Sequence, residues 1–154
     1  MQFEFNEVDE QLAERIVAMR GDIVVSRGQV HRLKQLPGFV AEANGDICGL
    51  ILYRIAGGEC EIVALNSYAE NLGIGTRLIG LVKQKALECN CRRLWLITTN
   101  DNVKAIGFYQ KRGFDMVRIH CDAVREARLL KPSIPLVSAD GIPIRHEIEF
   151  EMLL

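Results

Sequence analysis

Neither sign of charge dominates this chain: nineteen lysines and arginines oppose twenty aspartates and glutamates, a formal charge of −1 over 154 residues. Without a basic excess there is no electrostatic footprint for a nucleic-acid backbone or an anionic membrane surface, so neither partner is expected. No apolar run approaches the length that spans a bilayer. The opening Met1-Gln-Phe-Glu-Phe-Asn-Glu is acidic, which argues against a secretory or mitochondrial leader and points to the cytoplasm. The cysteines, at 48, 60, 89, 91 and 121, are odd in number and scattered, against a disulfide framework. Cys89-Asn-Cys91 lacks the two-residue gap of a zinc knuckle, and no other metal-binding cluster is visible, so no metal is expected. Cys48 and Cys60 sit in apolar runs and read as buried filler; nothing local supplies a base for a catalytic thiol. Internal repeats and low-complexity stretches are also absent.

What is present is an ordinary globular composition, 49% hydrophobic and 25% charged. A chain of this length is expected to form one domain, residues 1–154, burying roughly 70% of its unfolded surface. Gln2-Phe-Glu-Phe5 alternates like a short strand. Val8, Leu12, Ile16 and Met19 then keep helical spacing, with Asn6 as the expected cap and Gly21 as the stop. Residues 22–38 predict a short extended piece, a loop at Ser26-Arg27-Gly28 and a helical turn before Pro37. Two β-rich runs flank Asn44-Gly45, a pair suited to the positive φ angles of a type I′ turn, and Gly57-Gly58 turns the chain into a third strand. A helix from about Ile74 to Glu88, a strand in Arg92–Thr99, a helix ending at Gly113 and a strand from Phe114 follow. Residues 122–145 read as a helix and loop inserted before a last strand, where Ile148, Phe150 and Met152 face one way and glutamates the other; that strand is expected near a sheet edge. An antiparallel meander followed by a βαβ crossover makes this a mixed α/β fold.

Glu70-Asn-Leu-Gly73-Ile-Gly75-Thr76 stands where the third meander strand meets a helix. The first N–H groups of a helix have no intrahelical partners, and the aligned peptide dipoles make that end partly positive. Glycines there allow a close backbone approach, so the loop could cradle an anionic oxygen. A tight strand-to-helix turn explains the glycines equally well. The dinucleotide fingerprint would need a further glycine where Leu78 stands, and the P-loop lysine is missing.

A second segment decides. Asn102, Ala105, Tyr109, Gly113 and Phe114 follow in order, and with the Glu-x-x-Gly-x-Gly of residues 70–75 the sequence resembles the GNAT superfamily of N-acetyltransferases over residues of about 38 to 120. The resemblance implies a GNAT-like fold: a central, mixed, mostly antiparallel twisted sheet of six to seven strands with helices on both faces. It implies acetyl-CoA as co-substrate, with the diphosphate on Glu70, Asn71, Leu72, Gly73, Ile74, Gly75 and Thr76. It further implies that the pantetheine arm pairs with Leu65, Asn66 and Ser67, that the Leu65 N–H polarises the thioester carbonyl, and that Asn102, Ala105, Phe108 and Tyr109 complete the cofactor site. By the same resemblance Tyr109 would donate to the departing thiolate, although a helix-face core aromatic fits the spacing too. Glu70 departs from the family's usual Gln or Arg, and a carboxylate repels a diphosphate; Arg77 is the available compensating charge.

The proton of the attacking amine needs a base. Glu59 and Glu61, two apart on one predicted strand, share a face. Several members of the superfamily carry a glutamate there, and Glu61 lies nearer the end of the strand; two solvated carboxylates are the plain alternative. Arg27 and His31, in the region that reads substrates in the superfamily, could meet an acidic acceptor or belong to a solvated basic stretch. His120 and His146 read as surface or satisfied residues. The expected activity is acetyl transfer to a small-molecule or protein amine by direct attack, with a non-catalytic acyl-CoA-binding module as the alternative. A homodimer is compatible, since dimers are common in such folds.

Overall fold

The computed structural model describes residues 2–69 and 71–154; Glu70 and its expected role in the loop lie outside the described residues. Among the described residues nine strands and four helices follow in this order: β1 (Glu4–Glu7), α1 (Glu10–Arg20), β2 (Ile23–Ser26), β3 (Gln29–Arg32), a 3-10 turn at Leu33–Gln35, β4 (Gly38–Ala43), β5 (Asp46–Ala56), β6 (Glu59–Ser67), α2 (Ile74–Glu88), β7 (Arg93–Thr99), α3 (Val103–Lys111), β8 (Asp115–His120), α4 (Ala123–Leu130) and β9 (Glu147–Leu153). Seven strands form a sheet in the order β1-β4-β5-β6-β7-β9-β8, and the pairs β1–β4, β4–β5, β5–β6 and β8–β9 are antiparallel. The mixed, mostly antiparallel architecture is the expected one. Among the described residues no helix is long and apolar enough to cross a membrane.

The chain falls into two compact units. The first holds residues up to Val24, His31–Leu94 and Leu154. Its meander turns at Asn44-Gly45, with φ of 53° and 81°, and at Gly57-Gly58, with φ of 60° and 73°, as the turn chemistry predicts. Asn6 is not the cap of α1. It pairs with Val40 as a strand residue, and Asp9 caps instead, its carboxylate accepting from the Leu12 N–H at 2.8 Å. One face of β5 and β6 carries Leu50, Leu52 and Ala64, packed with Leu12 and Ile16 of α1 and with Leu33. The other face carries Gly49, and here the missing side chain matters: a Cβ would lie 2.6 Å from Ile74 Cγ2 and 3.3 Å from Leu78 Cδ1. Gly49 therefore lets the first turns of α2 settle onto the sheet.

The second unit holds Val25–Val30 and Trp95–Leu153. The second strand of the β2–β3 hairpin went unforeseen, because Gln29-Val-His-Arg32 has no alternation to announce it; the left-handed pair Arg27 and Gly28 makes the turn. β9 lies near the sheet edge, as expected, one strand in from it. It lies between β7 and β8, and β8, with Met116, Val117 and Ile119 exposed, takes the edge. The expected turn at Asp140-Gly141 forms, with Gly141 at φ 82° and Ser138 N–H bonded to Ile142 O at 2.9 Å.

Gly49→Ala should destabilise the fold by about 1–3 kcal/mol, as overpacking does, because Ile74 has to shift. A urea midpoint that falls with an unchanged slope checks this; an unchanged midpoint refutes the close approach.

Candidate active site

The first unit carries five of the candidate residues, Glu59, Glu61, Leu65, Asn66 and Ser67, on β6. In the β5–β6 register Leu50 opposes Asn66, Leu52 opposes Ala64 and Arg54 opposes Glu61, with a shift after Leu52 that leaves Val63 as an extra residue. Directly opposed residues share a face. Glu61 and Asn66 are five apart and would point to opposite faces under strict alternation; the extra residue puts both on the side that packs against α1. Glu59 shares the face with Glu61, as the spacing predicts.

The two glutamates nevertheless differ. Arg93 Nε donates to Glu59 Oε1 at 3.0 Å, and Arg92 Nη2 donates to Glu59 Oε2. Both oxygens of the Glu59 carboxylate are thus engaged by guanidinium donors. Glu61 is 3% exposed, so the reading of two solvated carboxylates fails for it. His31, from the end of β3, is 5% exposed and places Nε2 3.7 Å from Glu61 Oε1. The expectation of a solvated basic stretch fails at His31 for the same reason. Burial, and then the nearby Arg54 charge, lower its pKa, so the ring is neutral at physiological pH. Arg27 donates from its backbone N–H and from Nη1, at 3.3 and 3.0 Å, to Glu147 Oε1, and so compensates a carboxylate that is itself buried.

Sequence reasoning missed Arg20. Its guanidinium, at the last turn of α1, donates through Nη1 to Asn66 Oδ1, and its Nε is buried without a partner. No motif announces a contact between residues this far apart in the chain. Past Asn66 come half-buried Leu65's neighbour Ser67, whose hydroxyl donates to Ala69 O at 3.3 Å, and then the glycine loop. Asn71 and Gly73 both adopt left-handed backbone, φ 63° and 74°, and Gly73 is the N-cap of α2 with no side chain capping it. The first intrahelical bond made by the loop is Arg77 N–H to Gly73 O at 3.1 Å. The amides of Ile74 and Gly75 precede that bond and lie at the positive end of a fifteen-residue helix. Donors so placed suit an anionic oxygen such as a diphosphate presents. Arg77, the residue expected to compensate the charge of Glu70, has its guanidinium 4.0 Å over the Phe5 ring.

The second unit carries the rest. Asn102 precedes α3 and donates from Nδ2 to Thr98 Oγ1 at 3.2 Å. Ala105 and Phe108 follow on the helix, and Arg112 stacks 3.7 Å over the Phe108 ring. Tyr109, 8% exposed, has its ring 5.4 to 5.8 Å from those of Phe108, Phe114 and Phe150. Burial pushes its hydroxyl up to about 12, which keeps it protonated across the working range of an enzyme. Cys60 offers no nucleophile, since burial, then Cys91 and Cys89, push its thiol up to about 12. His120 bonds Glu149 at 2.9 Å, and His146 Nδ1 accepts from the Asp122 N–H at 2.9 Å; both are satisfied structural residues.

The elevated Tyr109 value has a sign. Between the unfolded pKa near 10 and the folded value near 12, the unfolded chain has lost the proton and the native chain keeps it, so stability falls with rising pH. The slope from this group approaches about 1.4 kcal/mol per pH unit. Tyr109→Phe should flatten the alkaline limb of a urea-stability profile by that amount; an unchanged limb refutes the burial.

Comparison with known proteins bears on both units. The family model described as "Acetyltransferase (GNAT) family" matches residues 6–114. The uncharacterized protein YdhI of Bacillus subtilis is 48% identical over 134 residues, 86% of this chain and 83% of its own length. An IAA acetyltransferase from Bacillus cereus superposes with a TM-score of 0.73 at 19% identity, covering 99% of this chain and 100% of that one. A Bacillus subtilis acetyltransferase solved in complex with CoA gives 0.70 at 17% identity over 99% of both chains. At these identities the structural neighbours establish the fold alone.

Proposed function

This chain belongs to the GNAT family of acetyltransferases and is an acyltransferase; on that basis we propose that it carries an acetyl group from acetyl-CoA to a primary amine by direct attack in a ternary complex. The observation that carries the proposal is Glu61: a carboxylate 3% exposed, kept on the α1 face of the strand that leads into the α2 cradle. Acetyl-CoA supplies the activated acyl group. The amides at the start of α2 hold its diphosphate, and the Leu65 N–H, near the end of β6, donates to the thioester oxygen, where negative charge develops. Asn102, at the start of α3, is a further residue that this reading assigns to the cofactor.

An amine is ammonium at neutral pH and has to shed a proton before it attacks. Glu61 takes that proton, and Glu59, held by two arginines, does not. Tyr109 is the residue that this reading assigns to the leaving sulfur. With its hydroxyl at about 12 against roughly 8.5 for a thiol, full transfer of the proton is uphill, so Tyr109 stabilises the thiolate by donating a hydrogen bond. No side chain is needed as an acyl carrier. The alternative of a non-catalytic acyl-CoA-binding module is not favoured: a buried carboxylate in a base's position is a cost that binding alone would not require.

Release of CoA thiol, assayed against a panel of a polyamine, free amino acids, an aminated antibiotic and a peptide with a free N-terminus and lysine, tests the reading. Acceptor-dependent release supports it, and tight acetyl-CoA binding with no release from any amine sinks it. With a responding amine, Tyr109→Phe should lower kcat by about 10²-fold while the KM for acetyl-CoA stays put. A change confined to KM would remove Tyr109 from the chemistry. Gly73→Ala should weaken acetyl-CoA binding about fivefold or more, from roughly 1 kcal/mol of left-handed strain, as calorimetry reads it.

A further inference from the structure

His31 is the one residue of the described chain whose imidazole nitrogen is buried without a hydrogen-bond partner, and that nitrogen, Nε2, looks at Glu61 Oε1 across 3.7 Å. The gap is too long for a hydrogen bond and short enough to close with a side-chain swing of under an ångström. A buried polar atom left unpaired costs free energy that a folded chain ordinarily avoids, so its position beside a buried carboxylate calls for a reason. The charged groups that face His31 are Glu61 from β6 and Arg54 from β5, which oppose each other in the strand register. A neutral imidazole beside a carboxylate can accept a proton, which an arginine could not.

We propose that Glu61 and His31 act as one proton-accepting pair, His31 working through Glu61. The ammonium N–H bond of the acceptor breaks and its proton forms an O–H bond on Glu61. That bond then breaks as the proton passes to His31 Nε2. The outcome is a neutral amine with its lone pair free to attack, a Glu61 carboxylate restored to its charge, and an imidazolium held against it. The proton leaves the pair for solvent after the transfer, so charge and atoms balance. Burial and Arg54 both disfavour a charge on His31, which leaves the ring neutral in the resting protein, and the Glu61 carboxylate has to offset them when the imidazolium forms. The inference rests on the reading of Glu61 as base and adds a residue to it.

The test has an arm that needs no acceptor. The chain has three histidines, so the His31 ring can be followed by NMR through a pH titration of the full-length protein. In Glu61→Gln the His31 titration should move to lower pH, because the carboxylate that favours the imidazolium is gone. An unmoved titration shows that the two share no proton and overturns the proposal. The kinetic arm uses the panel amine that turns over fastest. His31→Gln should lower kcat at least about tenfold and shift the acid limb of kcat/KM to lower pH, with the KM for acetyl-CoA unchanged. The double variant should fall no further than Glu61→Gln alone. If His31→Gln leaves kcat and the acid limb in place while Glu61→Gln lowers both, the pairing is wrong and the base stands. If Glu61→Gln keeps the full rate, the base itself is wrong.

Discussion

One extra residue in β6 arranges the first unit. Strict alternation separates Glu61 and Asn66, five positions apart, onto opposite sides of the sheet; Val63, inserted against the Leu52–Tyr53 step of β5, returns them to the same side. Had the strand run without the shift, Asn66 would face α2, and Arg20, coming from α1, would have nothing to hold there. The bulge is a backbone device, yet its effect is on polar chemistry, because it decides which side chains share a solvent-poor surface with His31. Everything proposed for the acceptor side of the reaction follows from that one displacement.

The same unit shows how burial sorts carboxylates that look alike in sequence. Glu59 is gripped by Arg92 and Arg93, and in the second unit Glu147 is gripped by Arg27. Both are compensated by permanent cations. Glu61 is faced instead by a group that can change its own charge. The distinction is one of partner, since Glu61 and Glu147 are equally buried.

Much of this was legible in the residues. Turns written in glycine and asparagine, at 44–45 and 57–58, and helices written in apolar spacing, such as α2, emerge where periodicity puts them, because those signals are local. The glycine loop and the Asn102–Phe114 segment announced the family for the same reason: each motif is contiguous. What escaped was non-local. Asp9 replaced Asn6 as a cap because β1 runs one turn further and claims Asn6 for pairing with Val40. Gly49 gave no hint that a helix would press on it, and neither Arg20 nor the burial of His31 could be inferred without knowing which strands are neighbours. His31 sits among Arg27, Arg32 and Lys34, so composition alone describes its surroundings as wet and basic, whereas the hairpin turns its ring inward.

The edge strand β8 carries Met116, Val117 and Ile119 in the open, with only Asp115 and Arg118 among them to discourage a visitor. Unpaired backbone beside exposed apolar side chains is a template onto which another extended chain can add. Warmed or crowded preparations would thus turn cloudy by growth from this rim while the core remained intact, and a lysine set into β8 would lengthen the shelf life of the protein without touching its chemistry.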